Sequence, residues 1–280
     1  MPMDRSLRRG ISLGGTLDGG GLALDDGWFD AIRDAGLDLV RLPVRWDSVA
    51  ADRVDRAVEG GLARGLAVVL DVHHFEGTDA AFLALWERIA ARYAGADPRL
   101  AFELRNEPHD PMTATAWNRL LRDALGVVRA RHPERTVIAG PVARNVIAAL
   151  PTLQLPDDPH LLATVHHYLP FRFTHQGAPW IAGADAWHGT PWGTAADRAR
   201  IRADLATAAA WARGRRLFLG EFGTRDVAPM AARAAWTALV RTEAERFGMD
   251  WAYWDFATEF GAFDVASGAW RAPLLAALRG

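Results

Sequence analysis

Short apolar runs alternate with amphipathic, Ala-, Leu- and Arg-rich stretches along all 280 residues, and this alternation constrains the fold more than any other feature. The runs cover 9–13, 37–43, 66–72, 100–105, 136–139, 161–165, 216–219 and 251–256. Helical patterns lie between most of them, at 26–35, 80–93, 113–131, 194–213 and 228–247. Residues 66–72 are almost wholly apolar, as a parallel strand buried on both faces should be. Gly36, Gly65, Gly214 and Gly248 stand between helix and strand, where a helix C′ residue must be left-handed. Eight strand–helix units in 280 residues are about 35 residues each. That period predicts an α/β fold, a (β/α)8 TIM barrel, with residues 1–280 as a single domain. A doubly wound sheet is the alternative. Gly14-Gly15 and Gly19-Gly20-Gly21 follow the first run, but their spacing is wrong for a dinucleotide loop and no helix opens there.

Composition removes whole classes of chemistry. There is no cysteine, so disulfides, thiolate nucleophiles and Cys-ligated metals are excluded. All 32 basic residues are arginine, which excludes Schiff-base lysines and Walker-A sites. A net charge of −2 offers no electrostatic attraction to nucleic acid or anionic membrane, and no apolar stretch is long enough to span a bilayer. The start, Met1-Pro2-Met3-Asp4-Arg5, and the short run Ile11-Ser12-Leu13 do not form a secretory signal. A cytoplasmic location is therefore expected of the chain as written. A processed secreted or periplasmic protein would begin in the same way. Twelve tryptophans against three tyrosines supply flat apolar faces, each with one N–H donor, which suit sugar stacking as well as core packing.

In a barrel of this kind the chemistry gathers at the C-terminal ends of the strands. There the chain places Arg41, then Asp71-Val72-His73-His74, Arg105-Asn106-Glu107-Pro108, His166-His167-Tyr168, Gly220-Glu221-Phe222-Gly223 and Trp254-Asp255, with Glu259 close behind. Six of eight strands thus deliver polar or aromatic groups to one rim. Glu107 and Glu221 stand about three barrel units apart, so they face each other across the mouth. Paired carboxylates across a cleft suit glycosidic hydrolysis: one protonates the leaving oxygen while the other attacks or activates water. Asn106 and Glu107 are adjacent, so strand alternation sends them to opposite faces unless the strand ends or twists there. Pro108 favours such an ending.

Asn106-Glu107-Pro108 and Gly220-Glu221-Phe222-Gly223 resemble glycoside hydrolase family 5, the cellulase-type members of clan A. So do Val40-Arg41-Leu42-Pro43, Leu70-Asp71-Val72-His73-His74, His166-His167-Tyr168 and Trp251-Ala252-Tyr253-Trp254, all in the family's order. The resemblance implies a retaining double displacement with Glu107 as acid/base and Glu221 as nucleophile. It assigns Arg41 and Tyr168 to the support of Glu221, and Asn106 to the sugar 2-OH. His73 and His166 would line the cleaving subsite over a floor formed by Trp254. It further implies a cis peptide after Trp254. For retention the two carboxyl groups should stand about 5–5.5 Å apart, and for inversion above about 6.5 Å.

The expected substrate is a β-linked glucan or oligosaccharide, cleaved most directly as an endo-β-1,4-glucanase, with mannan and β-1,3-glucan as alternatives. No cofactor or metal is expected, and the protein is expected to be a monomer. Two other classes stay open: a non-catalytic carbohydrate-binding barrel, and a metal-dependent hydrolase using His73, His74, His166 and His167. Arg41 paired with Asp71 for structure alone is a competing reading. Asp255 and Glu259 are candidates for sugar hydroxyls, and His74 for the cleft, although alternation turns it away from His73. Residues 169–193 show no clear helix and hold Trp180, Trp187 and Trp192. They are expected to form a cleft wall with sugar platforms, or else an internally packed loop. Trp46 is a further platform candidate. Trp86, Trp117, Trp211 and Trp236 sit in helical patterns and belong to packing. The loops after strands 1 and 5 look short, which would leave a wide cleft with few subsites.

Overall fold

The computed structural model describes residues 8–280. Its eight parallel strands close in sequence order into one barrel. They are β1 (Arg9–Ser12), β2 (Leu39–Val44), β3 (Ala67–Val72), β4 (Leu100–Glu103), β5 (Val137–Ala139), β6 (Leu161–His166), β7 (Leu217–Glu221) and β8 (Asp250–Tyr253). The outer layer holds α1 (Gly27–Asp34), α2 (Ala51–Ala63), α3 (Asp79–Arg92), α4 (Ala114–Arg129), α6 (Ala195–Ala212), α7 (Met230–Arg246) and α8 (Ala272–Arg279), with a one-turn helix α5 (Phe171–Thr174) after β6. A two-stranded hairpin, β9 (Phe263–Asp264) and β10 (Ala269–Trp270), precedes α8. This is the (β/α)8 barrel, with one departure. Between β5 and β6 the chain makes only a 3-10 turn, Ile147–Thr152, interrupted by Pro151. Proline there removes an N–H and clashes with a longer helix.

Strand alternation divides the core in two. Leu39, Ala67, Val69, Ala101, Ile138, Leu162, Phe218 and Ala252 fill the barrel interior. Val40, Leu42, Val68, Leu70, Phe102, Leu161 and Leu219 face outward into a larger cluster with the helices. Three indoles fasten helices to strand ends. Trp86, Trp117 and Trp236 are buried, and their Nε1–H groups donate to the carbonyls of Leu104 (3.1 Å), Gly140 (2.8 Å) and Leu169 (3.0 Å). Trp211 is partly buried against the same core. Gly36, Gly65, Gly214 and Gly248 are all left-handed, with φ between 69° and 89°.

At the C-terminal ends of the strands lies a cleft of about 1500 Å³ that contains both Glu107 and Glu221. A second hollow, of about 1530 Å³, opens at the opposite end of the barrel, beside the starts of β6 and β8. It lies away from these carboxylates. The loop after β1 is long: Gly15, Asp18, Gly20 and Leu22 all line the cleft. The segment after β5 contributes Arg144, Val146, Ile147 and Ala148. Neither loop is therefore short, because glycine-rich and turn-forming residues run over the rim without forming elements of their own.

Candidate active site

One layer above the apolar interior, the same alternation produces a polar layer. Arg41 stands two residues beyond Leu39, Asp71 two beyond Val69, and Glu103 two beyond Ala101, so all three point inward. All three are fully buried. Arg41 donates to both oxygens of Glu103 (2.7 and 3.2 Å), to Asp71 Oδ2 (3.0 Å), to Glu221 Oε1 (2.8 Å) and to Asn106 Oδ1 (2.9 Å). Arg41 thus pairs with Asp71 and also holds Glu221. Burial alone would lower its pKa, but the facing carboxylates raise it well above the ordinary value. Burial pushes the Asp71 carboxyl up to about 6 and raises Glu103 as well, against the pull of Arg41.

A relay runs from this layer toward the cleft. His73 Nδ1 lies 2.6 Å from Asp71 Oδ2, and burial brings the imidazole down to about 3. His73 is therefore neutral, donates from Nδ1, and presents a bare Nε2 to Asn106 Nδ2 at 3.4 Å. The Asn106 amide is held at both ends, with its oxygen on Arg41 and its nitrogen on His73.

The two cleft carboxylates come from different local devices. β4 ends at Glu103, and Asn106 N–H still reaches the Val72 carbonyl (3.0 Å). Glu107 then turns left-handed (φ 45°), which brings its side chain to the cleft beside Asn106 in spite of alternation. Glu221 is aimed by a bulge. Val165 pairs with Leu219 but His166 pairs with Glu221, so Gly220 is the extra residue. A Cβ on Gly220 would lie 2.7 Å from Thr164 Oγ1 and 3.1 Å from His166 Nε2, so the approach requires glycine.

His166 stands between the carboxylates. Its Nδ1 lies 2.8 Å from Glu107 Oε1 and 3.5 Å from Glu221 Oε2. Tyr168 donates its hydroxyl to Glu221 Oε2 at 2.9 Å, and its own pKa is raised well above the ordinary value by burial and the nearby carboxylates. Oxygens of Glu107 and Glu221 lie within 4.8 Å of each other. Burial raises the Glu107 carboxyl and lowers the His166 imidazole. The contact between them acts the other way, joined at His166 by the Glu221 charge, and outweighs burial, so Glu107 sits below and His166 above its usual range.

Glu107, His166 and Glu221 could gather around an ion on distance alone. Their donor set does not fit one. Glu107 and His166 are hydrogen-bonded to each other, and Glu221 is held by Tyr168 and by a guanidinium that would repel a dication.

Most other rim candidates reach the cleft. His73, His74, Trp254, Glu259 and Trp180 line it. His74 is left-handed (φ 51°), and its ring meets His73 edge-on at 4.3 Å, so it turns back to the cleft despite alternation. The Trp254 ring lies parallel to His73 at 5.8 Å, and the Trp254–Asp255 peptide is cis. Asp255 does not face the cleft. It is fully buried and accepts from Thr258 Oγ1 (2.7 Å) and Thr258 N (3.2 Å), and burial raises its carboxyl to about 7.

Three tryptophans also fall outside the cleft lining. Trp46, in the loop after β2, packs partly buried against the core. Trp192 stacks on Phe173 at 5.9 Å, and Trp187 meets Phe171 edge-on at 6.0 Å. Residues 169–193 are thus an internally packed loop around α5 and the turn Ala184–Trp187, with Phe171, His175 and Trp180 on its cleft edge. Trp180 is 56% exposed, beneath the Arg225 guanidinium.

Sequence reasoning did not single out Glu103, Arg144 or Asn145. Glu103 carried a signal, as an acid alternating with Ala101 in an apolar run. Arg144 and Asn145 carried none, because only tertiary folding brings residues 144 and 145 to Glu107 and His166.

A parallel barrel with paired carboxylates and an Arg–Asn–His–Tyr surround defines a glycoside hydrolase. A family model, Cellulase (glycosyl hydrolase family 5), matches residues 20–259, and the chain belongs to this family. Endoglucanase H of Acetivibrio thermocellus is 29% identical over 94% of this chain and 31% of its own length. Cellodextrinase A of Ruminococcus flavefaciens is 31% identical, covering 64% of each chain. The chain therefore spans about a third of one of these relatives and just under two thirds of the other. Thermotoga maritima Cel5A, solved in complex with cellobiose, superposes with a TM-score of 0.95 at 36% identity, covering 99% of this chain and 100% of that one. The same protein is also described with mannotriose, with a TM-score of 0.93, 36% identity and 98% of each chain covered.

Proposed function

We propose that the chain cleaves β-linked glucans with retention of configuration, most directly as an endo-β-1,4-glucanase. Glu221 attacks the anomeric carbon while Glu107 protonates the departing oxygen. Water then attacks the glycosyl–Glu221 ester with Glu107 as base. The observation that carries this reading is the approach of the Glu107 and Glu221 oxygens to within 4.8 Å, in keeping with direct attack without an interposed water. Arg41 and Tyr168, each donating to one Glu221 oxygen, orient the nucleophile. Loss of the Glu221 charge on glycosylation removes repulsion at Glu107, whose carboxyl then ionises more readily and serves as base for the incoming water. In this reading Asn106 binds the sugar 2-OH and Trp254 the face of the ring. The endoglucanase and cellodextrinase relatives and the cellobiose complex support a β-1,4-glucan.

A mannan-cleaving reading is favoured by one observation, the mannotriose complex of a 36% identical neighbour. Hydrolysis of carboxymethylcellulose, lichenan, glucomannan, laminarin and cello-oligosaccharides by wild type and Glu221→Ala tests both. Glucan turnover abolished in the variant is expected, and chelator should leave it unchanged. Turnover of mannan alone would replace the substrate. Binding without turnover on every substrate would overturn the catalytic reading.

A further inference from the structure

General acid catalysis requires Glu107 to hold a proton as the leaving group departs, yet the charges around it draw that proton to His166. Glu107 and Glu221 both face His166 Nδ1. Asp71 and Glu103 add negative charge from the layer below, and Arg41 opposes it. Arg144 sets a guanidinium 3.4 Å from Glu107 Oε2, which further favours the carboxylate. His73 and Tyr168, both neutral, bring no proton demand of their own.

The other imidazole nitrogen has a different neighbour. His166 Nε2 lies 3.3 Å from Asn145 Nδ2. An amide nitrogen can only donate, so this contact needs a lone pair on Nε2. An imidazolium would set N–H against N–H. We infer that Asn145 is a positioning residue for the general acid: by donating to His166 Nε2 it keeps the imidazole neutral, with its one hydrogen on Nδ1 donated to Glu107 Oε1, and leaves the acid's proton on Glu107 Oε2.

The surroundings hold the Asn145 main chain in place, while its Oδ1 has no hydrogen-bond partner. Asn145 is fully buried, in a turn where Ala143, Arg144 and Asn145 are all left-handed (φ 60°, 63° and 55°). Asparagine tolerates that region better than most residues. Arg144 N–H reaches the Pro108 carbonyl (3.2 Å), beside Glu107, and His166 N–H reaches the Asn145 carbonyl (2.9 Å). The turn is thus tied by main chain to His166 and to the residue after Glu107. Gly140 makes the fit possible, since a Cβ there would lie 2.1 Å from Asn145 Oδ1.

The catalytic consequence rests on the glycosidase reading, whereas the imidazole state does not. Asn145→Asp is near-isosteric, suits the left-handed turn and offers His166 Nε2 an acceptor, which favours the imidazolium. The basic limb of kcat/KM on a cello-oligosaccharide should fall by about one pH unit or more, with a loss of about tenfold or more at pH 7, within the range of general acid catalysis. Hydrolysis of 2,4-dinitrophenyl β-cellobioside, whose leaving group needs no proton, should change by less than about threefold. Nitrogen-15 histidine spectra, assigned against His166→Gln, should show neutral His166 protonated at Nδ1 in wild type and imidazolium in Asn145→Asp. An unchanged pH profile, equal losses on both substrates, or imidazolium already in wild type at pH 7 would each overturn the inference. If wild type cleaves no β-glycoside, the reaction reading fails, and the spectra alone decide the role of Asn145.

Discussion

At the scale of single residues, position along a strand decided less than backbone sign. Asn106 and Glu107 share one site because Glu107 is left-handed, just beyond the end of β4. The same conformation returns His74 to the cleft. Neither turn could be read from alternation, which describes a continuing strand. Asp255 shows the opposite case, a rim position drawn inward by its loop. Its carboxyl rises from 3.8 to about 7, so the folded state prefers it protonated. Its contribution to stability is full below about pH 4 and is lost as pH rises through 7. Asp255→Asn, always neutral, should gain stability relative to wild type between pH 4 and pH 8. Denaturation midpoints measured across that range test this, and parallel curves for the two proteins would refute it.

At the scale of elements, β2, β3 and β4 build the polar layer simply by continuing their inward register past the apolar plug. Glu103 is the member that sequence reasoning passed over, although its alternation with Ala101 was visible. Glu103→Ala strips two hydrogen bonds from a buried guanidinium. It should cost on the order of 3 kcal/mol in chemical denaturation and weaken activity by freeing Arg41 to tilt from Glu221. The β6–β7 bulge is a second such device. Gly220→Ala should push His166 and Thr164 apart, costing about 1–3 kcal/mol and lowering kcat more than it raises KM. Wild-type kinetics in that variant would show that the bulge tolerates a methyl group. Tryptophan was legible only in part. Those on helical patterns packed as expected, but Trp46 and Trp192 also went to packing. An indole in a loop offers the same apolar face to a neighbour or to a sugar, and sequence does not say which is nearer.

At the scale of the whole molecule, the closed barrel joins β1 to β8, so residues from both ends of the chain meet in one sheet. We propose that residues 1–280 form one domain. Scanning calorimetry should then show a single transition, and two separable transitions would contradict it. The eight-unit period, the strand runs and the two carboxylates were legible along the chain because apolar periodicity and strand-end position are local properties, set by burial on two faces and by the polarity of the barrel mouth. The missing helix after β5, the inward turn of Asp255, the loss of Trp46, Trp187 and Trp192 to packing, and the placement of Arg144 and Asn145 beside the Glu107–His166 pair were decided only by folding. Each depends on distances between residues far apart in sequence. The protonation of the pair belongs with them, since it follows from charges and donors that five different strand ends bring within a few ångströms.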